Sequence, residues 1–305
     1  MIKVFDKSSS IGWLKKTLPS GGGADTPAAA YSLRNVVPTW FGRSLINVRR
    51  SGDNAEKEFS EYEIESGIME DWITSGGLVA RDAFIVTWYD QSGNGNHATQ
   101  SADASQPKIW DSSTGLVTEN GKPALDFDGV DDHLILLGTG AGGANPLNVN
   151  SDLLCAMVLK PTTSKSAYVF NNYQGSTAPY TGQHILWHQD PDGSDVTFET
   201  SYDDDSTPST LVSTGQPLAR YIVTNIRNKG GTNYIYINGA ENTSGADTAT
   251  GDVISDIDWA IGARAEDATV EVWEGNIQEL IIYSTDQSAN RTILETNIND
   301  YYNIF

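Results

Sequence analysis

Two short segments of the chain carry closely spaced carboxylates around an Asp-Gly step. Both follow the pattern Asp-x-Asp-Gly-x-Asp, at residues 126–131 and 190–195. Carboxylate oxygens placed around a glycine bend are suited to wrap a hard cation such as calcium. The second segment is the better candidate, and its predicted ligands are Asp190, Asp192 and Asp195. An Asp-Gly step also forms a tight turn without any ion, and this alternative stays open.

Aromatic side chains near predicted loops are a second source of chemistry. A flat ring stacks on the apolar face of a sugar, while neighbouring polar groups hydrogen-bond the sugar hydroxyls. The predicted sugar-binding residues are Tyr180, Trp187, Tyr202 and Trp273. The alternative is that these rings belong to the core, where most aromatic residues of a β-sandwich lie.

The net charge limits the ligands that such sites can take. Lys and Arg number 19 against 40 Asp and Glu, which gives a formal net charge of −21. A field of this sign repels phosphate backbones and polyanionic glycans, so we expect no nucleic-acid partner. No apolar stretch approaches the ~18 residues of a membrane span, and no nucleotide-binding fingerprint is present. Calcium is therefore the only cofactor that the sequence indicates.

The elements that must position these residues are mostly strands. Apolar and polar residues alternate in segments such as 44–50 and 234–237, and apolar strand-like segments recur every ~10–15 residues. The turn signals between them are Asn120-Gly121, Asp192-Gly193, Gly230-Gly231 and Asn238-Gly239. This spacing predicts an all-β sandwich or barrel. The predicted helices are residues 27–34, a stretch near 64–74, and 288–301.

The first 25 residues differ in composition from the rest of the chain. They contain a serine run at residues 8–10, a Ser-Gly-Gly-Gly run at residues 20–23, and the basic pair Lys15-Lys16. Such a composition is typical of a flexible tether or docking segment. We therefore predict a tether at residues 1–25 and a single elaborated sandwich domain at residues 26–305.

Residues 126–283 resemble a laminin-G-like, concanavalin A-like jelly roll. The resemblance rests on four stretches in the expected order: residues 125–134, the apolar strand at 153–161, the hairpin ending at 236–239, and residues 273–283. It implies a jelly-roll β-sandwich with a few short helices. It implies little about function, because this fold carries lectins, hydrolases and adhesion modules.

Three motifs resemble a second group of proteins. Residues 25–34, 48–54 and 88–97 are similar to the catalytic domain of the α-L-arabinofuranosidase B enzymes, glycoside hydrolase family 54. The same motifs also look like those of virion proteins of marine and gut bacteriophages, in which they precede a laminin-G-like half. The run Tyr-Asp-Gln-Ser-Gly-Asn-Gly-Asn at residues 89–96 is the most specific of them.

The arabinofuranosidase resemblance implies two catalytic carboxylates, which a retaining glycosidase needs on either side of the scissile bond. The family's nucleophilic Glu falls on Leu186 in this chain, so that role is lost unless Glu199 on the next strand replaces it. The family's acid falls on Glu266 or Asp267, shortly after an Ile-Gly step. The enzyme interpretation therefore has Glu266, Asp267 and Glu199 as its candidate residues.

These patterns lead us to expect a non-enzymatic bacteriophage virion protein, either structural or adhesive, such as a capsid decoration, head fibre or tail component. It would dock on other virion proteins through residues 1–25 and present its sandwich to cell-surface glycans or partner subunits at the particle surface. Assembly as a homo-oligomer stays open. The alternatives are an arabinofuranosidase-like retaining glycoside hydrolase and a secreted bacterial carbohydrate-binding module.

Overall fold

Strands dominate the computed structural model of the chain, which describes residues 26–75, 81–137, 147, 152–173, 181–189, 195–204, 208–249 and 256–305. For residues 181–189 and 203–204 the description covers the backbone only. The strands form two antiparallel layers that enclose one main core, with a few short helices around them. The predicted all-β, concanavalin A-like jelly-roll sandwich is confirmed. The predicted tether lies outside the described residues and stays a prediction.

The first layer is built from long central strands that pair antiparallel. Its strands are β1 (Ala29–Ser32), β10 (Leu125–Asp128), β12 (Leu153–Pro161), β17 (Tyr221–Arg227), β18 (Thr232–Ile237), β19 (Ala240–Ala246) and β21 (Glu274–Tyr283). They pair in the order β19-β18-β17-β12-β21, and β1 and β10 lie end to end along the other side of β21. β21 is therefore the strand that the rest of this layer is built on.

The second layer contains the remaining long strands. They are β5 (Ala98–Thr99), β11 (Leu134–Leu136), β13 (Ala167–Asn171), β14 (Thr181–Gln189), β15 (Val196–Asp204), β16 (Ser209–Gln216) and β20 (Trp259–Ile261). Their order is β5-β11-β20-β13-β14-β15-β16, and every pairing is antiparallel.

The other strands lie at one side of the sandwich, where two of them connect the two layers and two form a separate hairpin. They are β2 (Ser44–Arg50), β3 (Glu56–Ser60), β4 (Ala83–Trp88), β6 (Lys108–Asp111), β7 (Gly115–Leu116), β8 (Thr118–Glu119) and β9 (Lys122–Pro123). β4 pairs with both β5 and β6, and β6 pairs in turn with β10, so hydrogen bonding continues from one layer into the other. β8 and β9 form the separate hairpin.

The helices lie outside the layers. They are α1 (Glu61–Glu65), α2 (Ile68–Thr74) and α3 (Arg291–Tyr302), with short 3-10 turns at Pro38–Trp40 and Asp103–Ser105. The predicted helices near residues 64–74 and at 288–301 are thereby confirmed. No described helix has the length and apolar character that crossing a membrane requires.

Two hydrophobic cores follow from the alternation of side chains along the strands. Cys155 and Met157 of β12 point into the main core between the layers, where they join Phe198 and Ile261 of the second layer. The intervening residues of β12, such as Ala156, point outward into a second core, which α3 covers with Leu294 and Ile298 among others. The period-two pattern of a strand buried on both faces produces this arrangement.

The predicted helix at residues 27–34 is wrong. This segment forms β1, which pairs with β21 from Ala29 opposite Ile282 to Ser32 opposite Glu279. All four residues of β1 are buried. The alanine run and the proline before it favour a helix locally, but strand pairing and burial on both faces outweigh this preference.

The loop that follows β4 holds β1 in place. The Asp90 carboxylate accepts hydrogen bonds from the backbone N–H of Ala30 at 2.9 Å and of Ser92 at 2.8 Å. The Gln91 amide accepts from the N–H of Val36 and donates to the carbonyl of Arg34, both at 2.9 Å. Both side chains are fully buried. The most specific run of the sequence therefore has a structural role, which is to satisfy the backbone groups around β1.

A buried ion pair joins the same region to β21. The Arg34 Nε donates to the Glu279 carboxylate at 2.8 Å, and the two side chains are 2% and 0% exposed. Burial alone lowers the pKa of Arg34, but the charge and hydrogen bonds of Glu279 outweigh this and raise it. The hydroxyl of Tyr302 in α3 donates to the same carboxylate at 3.1 Å. One carboxylate thus links β1, β21 and α3.

Replacing Arg34 by methionine should destabilise the protein by about 3–5 kcal/mol, because the Glu279 carboxylate stays buried without its cation. Chemical denaturation in urea measures the change. Asp103→Asn is the control, since it breaks an ion pair with Arg49 whose carboxylate is 57% exposed, and should lower stability by less than about 1 kcal/mol. Equal losses in the two variants would contradict the central role of the buried pair.

Candidate functional site

Polar and aromatic side chains meet on the outer face of the second layer. Tyr168 of β13 and Glu199 of β15 lie in register with Leu186, which is between them on β14. Residues in register on antiparallel strands share one face of a sheet. The neighbours of Tyr168 and Glu199 along their strands, such as Val169 and Phe198, belong to the main core. Tyr168 and Glu199 are therefore directed to the opposite, outer face.

The loop that follows β20 brings a charged pair to this face. Arg264 donates from its Nε to the Glu271 carboxylate at 2.8 Å, and a second guanidinium nitrogen contacts the same oxygen. The guanidinium carbon is 5.9 Å from the centre of the Tyr168 ring. Burial opposes the charge of Arg264, but the hydrogen bond that Arg264 donates to Glu271 outweighs it, so the pKa of Arg264 is raised. Burial, and then the charge of Glu271, raises the pKa of Tyr168.

A second tyrosine stacks on the first at the end of β13. The ring centres of Tyr168 and Tyr173 are 6.2 Å apart and the ring planes differ by 23°. The fully buried Asn171 fixes this arrangement. Its amide donates to the carbonyl of Ala263 at 2.8 Å and accepts from the N–H of Ala265 at 3.0 Å. It also accepts from the N–H of Tyr173 at 3.3 Å, so one side chain ties the loop to the strand.

We call Tyr168, Tyr173, Glu199, Arg264 and Glu271 the tyrosine–arginine site. The site combines an aromatic stack, a guanidinium donor and carboxylate acceptors on one face. Groups of this kind suit a sugar, because rings stack on its apolar face while donors and acceptors take its hydroxyls. Of these residues only Glu199 was singled out from the sequence, and only as a hydrolase residue. The cross-strand register of β13, β14 and β15 is the signal that could have found Tyr168, whereas Tyr173, Arg264 and Glu271 lie outside the strands.

The predicted acids of the enzyme interpretation lie on the same loop. Glu266 is half-buried and its charge acts on Arg264. Asp267 is exposed, and its carboxylate accepts from the hydroxyl of Thr269 at 2.7 Å and from its N–H at 3.0 Å. The hydroxyl and then the N–H of Thr269 lower the pKa of Asp267. A general acid needs a raised pKa, so Asp267 fits a turn-capping role and not that of the acid.

The predicted sugar-binding aromatics are placed elsewhere. Tyr202 and Trp273 are 1% and 0% exposed. Such burial leaves no ring face for a ligand, so the sugar-binding role does not fit either residue. Trp187 lies in register between Ala167 and Phe198, and only its backbone is described. Tyr180 lies outside the described residues.

The predicted calcium ligands can be compared with the structure only in part. Asp190 and Asp192 lie outside the described residues, and Asp195 is half-buried at the start of β15. Asp128, Asp131 and Asp132, in and after the other Asp-Gly segment, each place a carboxylate oxygen within 4.8 Å of the others. The N–H groups of Asp128 and Val130 already donate to this cluster at 2.9 and 2.8 Å. Backbone donors thus close this turn, and calcium binding stays a prediction.

One carboxylate of this turn has an unusual pKa. Asp132 is buried, and its burial raises the pKa to about 7, with the nearby Asp128 carboxylate adding to the shift. The folded protein therefore holds a proton on Asp132 that the unfolded chain releases near pH 4. The contribution of Asp132 to the free energy of unfolding is fully present below pH ~4 and is lost as the pH rises through ~7.

Asp132→Asn should raise the melting temperature at pH 8 and have little effect below pH 4. The amide keeps an acceptor for the N–H of Asp128 and carries no charge at any pH. Thermal unfolding in a chelating buffer between pH 3.5 and pH 8 measures the difference between variant and wild type. A difference that stays constant over this range would contradict the raised pKa.

Comparison with known proteins assigns a fold to this geometry. No family model matches the chain, and no curated protein matches it. A solved arabinofuranosidase in complex with arabinofuranosyl-α-1,2-xylobiose is similar, with a TM-score of 0.64 and 14% identity. A family 54 α-L-arabinofuranosidase soaked with a cyclic sulfate inhibitor has a TM-score of 0.65 and 13% identity. Both matches cover 89% of this chain and 62% of the other.

A third similar structure is the binding domain of the Paraclostridial Mosquitocidal Protein 1. Its TM-score is 0.51 at 13% identity, and the match covers 71% of this chain and 50% of that one. This chain thus spans only part of the length of each similar protein. At these identities the likeness establishes the fold.

The expected function as a bacteriophage virion structural or adhesion protein is wrong. The solved structures that share this fold are two arabinofuranosidases and the binding domain of the Mosquitocidal Protein, rather than bacteriophage proteins. The motifs at residues 25–34 and 88–97 wrongly indicated a virion protein, because the contacts that they make are structural. They fix β1 in the sandwich and carry no information about a particle.

Proposed function

We propose that this chain binds a neutral oligosaccharide at the tyrosine–arginine site. The observation that carries the proposal is the stack of Tyr173 on Tyr168 beside the Arg264–Glu271 pair. Tyr168 is only 5% exposed, whereas Tyr173, Arg264 and Glu271 are partly exposed, so a ligand can reach the Tyr173 ring and the polar groups. Stacking with hydrogen bonding to hydroxyls is the chemistry by which proteins hold sugars.

The charge of the site and of the chain supports a neutral ligand. Glu199 and Glu271 both contribute carboxylates, and Arg264 contributes the single guanidinium of the site. The whole chain has a formal net charge of −21. An acidic sugar would approach against this field, whereas a neutral one would not.

The similar arabinofuranosidase structure supplies a first probe. That enzyme is described in complex with arabinofuranosyl-α-1,2-xylobiose, a neutral trisaccharide, and it shares the sandwich fold with this chain. We infer that neutral plant-type oligosaccharides are the ligand class to test first, and a glycan array then ranks other neutral glycans.

Tyr173→Ala should weaken the binding of arabinofuranosyl-α-1,2-xylobiose about tenfold, because the stacking surface is lost. Isothermal titration calorimetry measures the affinity. Asp300→Asn is the matched control, since Asp300 is exposed on α3, which packs on the first layer and not on the second. The melting temperature of each variant reports whether it is folded. Wild-type affinity in a folded Tyr173→Ala protein would refute the assigned site.

A retaining glycoside hydrolase is the second candidate, and one observation favours it. Glu199 and Glu266 are both half-buried carboxylates that act on the Tyr168–Arg264 pair. Retaining enzymes use a nucleophile and an acid/base whose carboxyl groups are ~5–5.5 Å apart. In this candidate Glu199 is the nucleophile and Glu266 the acid/base.

Glu199→Gln should lower any release of 4-nitrophenol from 4-nitrophenyl α-L-arabinofuranoside by at least ~100-fold, because the covalent step loses its nucleophile. The amide keeps the size of the side chain, so the fold should be retained, and the melting temperature of the variant checks this. Absorbance of the released nitrophenol measures the rate. Absence of turnover in the wild type, together with trisaccharide binding, would remove the hydrolase candidate and leave the binding function.

A further inference from the structure

The backbone of the tyrosine–arginine site is strained at one residue. Among the described residues, the non-glycine positions with positive φ are Asn54, Asn120, Asn238, Glu271 and Asn303. Asparagine adopts this left-handed conformation readily, whereas glutamate seldom does. Glu271 has φ of +49°. Of these five described residues, Glu271 is the one whose type disfavours its backbone conformation.

The surroundings force this conformation on position 271. The carbonyl of Glu271 accepts the N–H of Tyr168 at 2.9 Å, which binds the end of the loop to β13. Two residues later the N–H of Trp273 donates to the carbonyl of Gly262 at 2.7 Å, which closes the loop on its own start. The first contact uses only the backbone carbonyl of position 271, and the second does not involve this residue. An asparagine or a glycine would make the first contact with less strain.

The side chain of Glu271 explains why the strain is retained. Its carboxylate accepts two guanidinium contacts from Arg264, and these hold the guanidinium beside the Tyr168 ring. Both side chains are partly exposed, at 23% for Arg264 and 32% for Glu271. An asparagine side chain is one methylene shorter than that of glutamate, and it carries no charge to pair with the guanidinium. Strained residues of this kind are concentrated at functional sites.

We propose that Glu271 is the positioning residue of this site and that the Arg264–Glu271 pair recognises two adjacent hydroxyls of a neutral sugar. The inference rests on the proposed function. Arg264 has N–H groups left to donate after its bonds to Glu271, and the carboxylate has lone pairs left to accept. A neutral pair that offers a donor next to an acceptor matches a vicinal diol, in which one hydroxyl oxygen accepts and the other hydroxyl donates.

The test separates backbone strain from side-chain chemistry by comparing Glu271→Asn with Glu271→Gln. Both variants remove the carboxylate, but only asparagine relieves the backbone, so it should melt about 2 °C higher than the glutamine variant. Both should bind arabinofuranosyl-α-1,2-xylobiose about tenfold more weakly than wild type in calorimetry, as should Arg264→Gln. A deoxy analogue of the trisaccharide that lacks one of the two adjacent hydroxyls of the arabinofuranosyl unit should bind more weakly than the trisaccharide to wild type. The three variants should bind the analogue and the trisaccharide with the same affinity.

The outcomes distinguish this inference from the function on which it rests. If wild type and Tyr173→Ala behave as expected but Glu271→Asn binds as tightly as wild type, Glu271 is a structural residue and the inference is overturned alone. If wild type binds neither the trisaccharide nor any neutral glycan on an array, the proposed function and this inference both fail. Glu271→Asn supports the positioning role if it melts at a higher temperature than Glu271→Gln and still binds the trisaccharide more weakly than wild type. A purely structural residue would not gain stability and lose affinity in the same variant.

Discussion

The buried ion pair between Arg34 and Glu279 is the interaction on which the rest of the structure depends. Glu279 lies within β21, the strand that pairs with β12 on one side and with β1 and β10 on the other. Arg34, which follows β1, pairs with this carboxylate, and Tyr302 at the end of α3 donates to it. The loop at residues 262–273 runs directly into β21. The same strand is thus connected to β1, to α3 and to the loop that carries Arg264.

Much of the fold was predictable from the sequence, because the physics that sets it is local. Alternating side chains and paired turn residues mark most strands, and Asn120 and Asn238 adopt the positive φ that their Asn-Gly steps indicate. The helix at residues 27–34 was wrongly predicted because its helix signal is local, whereas a distant strand decides the structure that the segment adopts. β1 pairs with residues near the other end of the chain, and no sequence window contains both partners.

The site was predictable only in outline. The enzyme interpretation reached Glu199 and Glu266 through a family pattern, and both lie on the relevant face or its loop. It missed Tyr168 and Arg264, because cross-strand register and the path of a loop decide that they meet. Trp273 was chosen because it lies near a predicted loop, but its ring is fully buried in the main core. Which face a side chain takes is a tertiary property.

The pairing of β1 with β21 also has a consequence for how the protein folds. Ser32 and Glu279, which meet in the finished sheet, are 247 residues apart in the chain. During synthesis β1 therefore emerges long before β21, and its apolar residues stay exposed to solvent until β21 has been synthesised. Contacts of such long sequence separation slow folding, because the entropy of closing the loop precedes any gain. A chaperone that shields β1 during that interval would act where this topology is most vulnerable to aggregation.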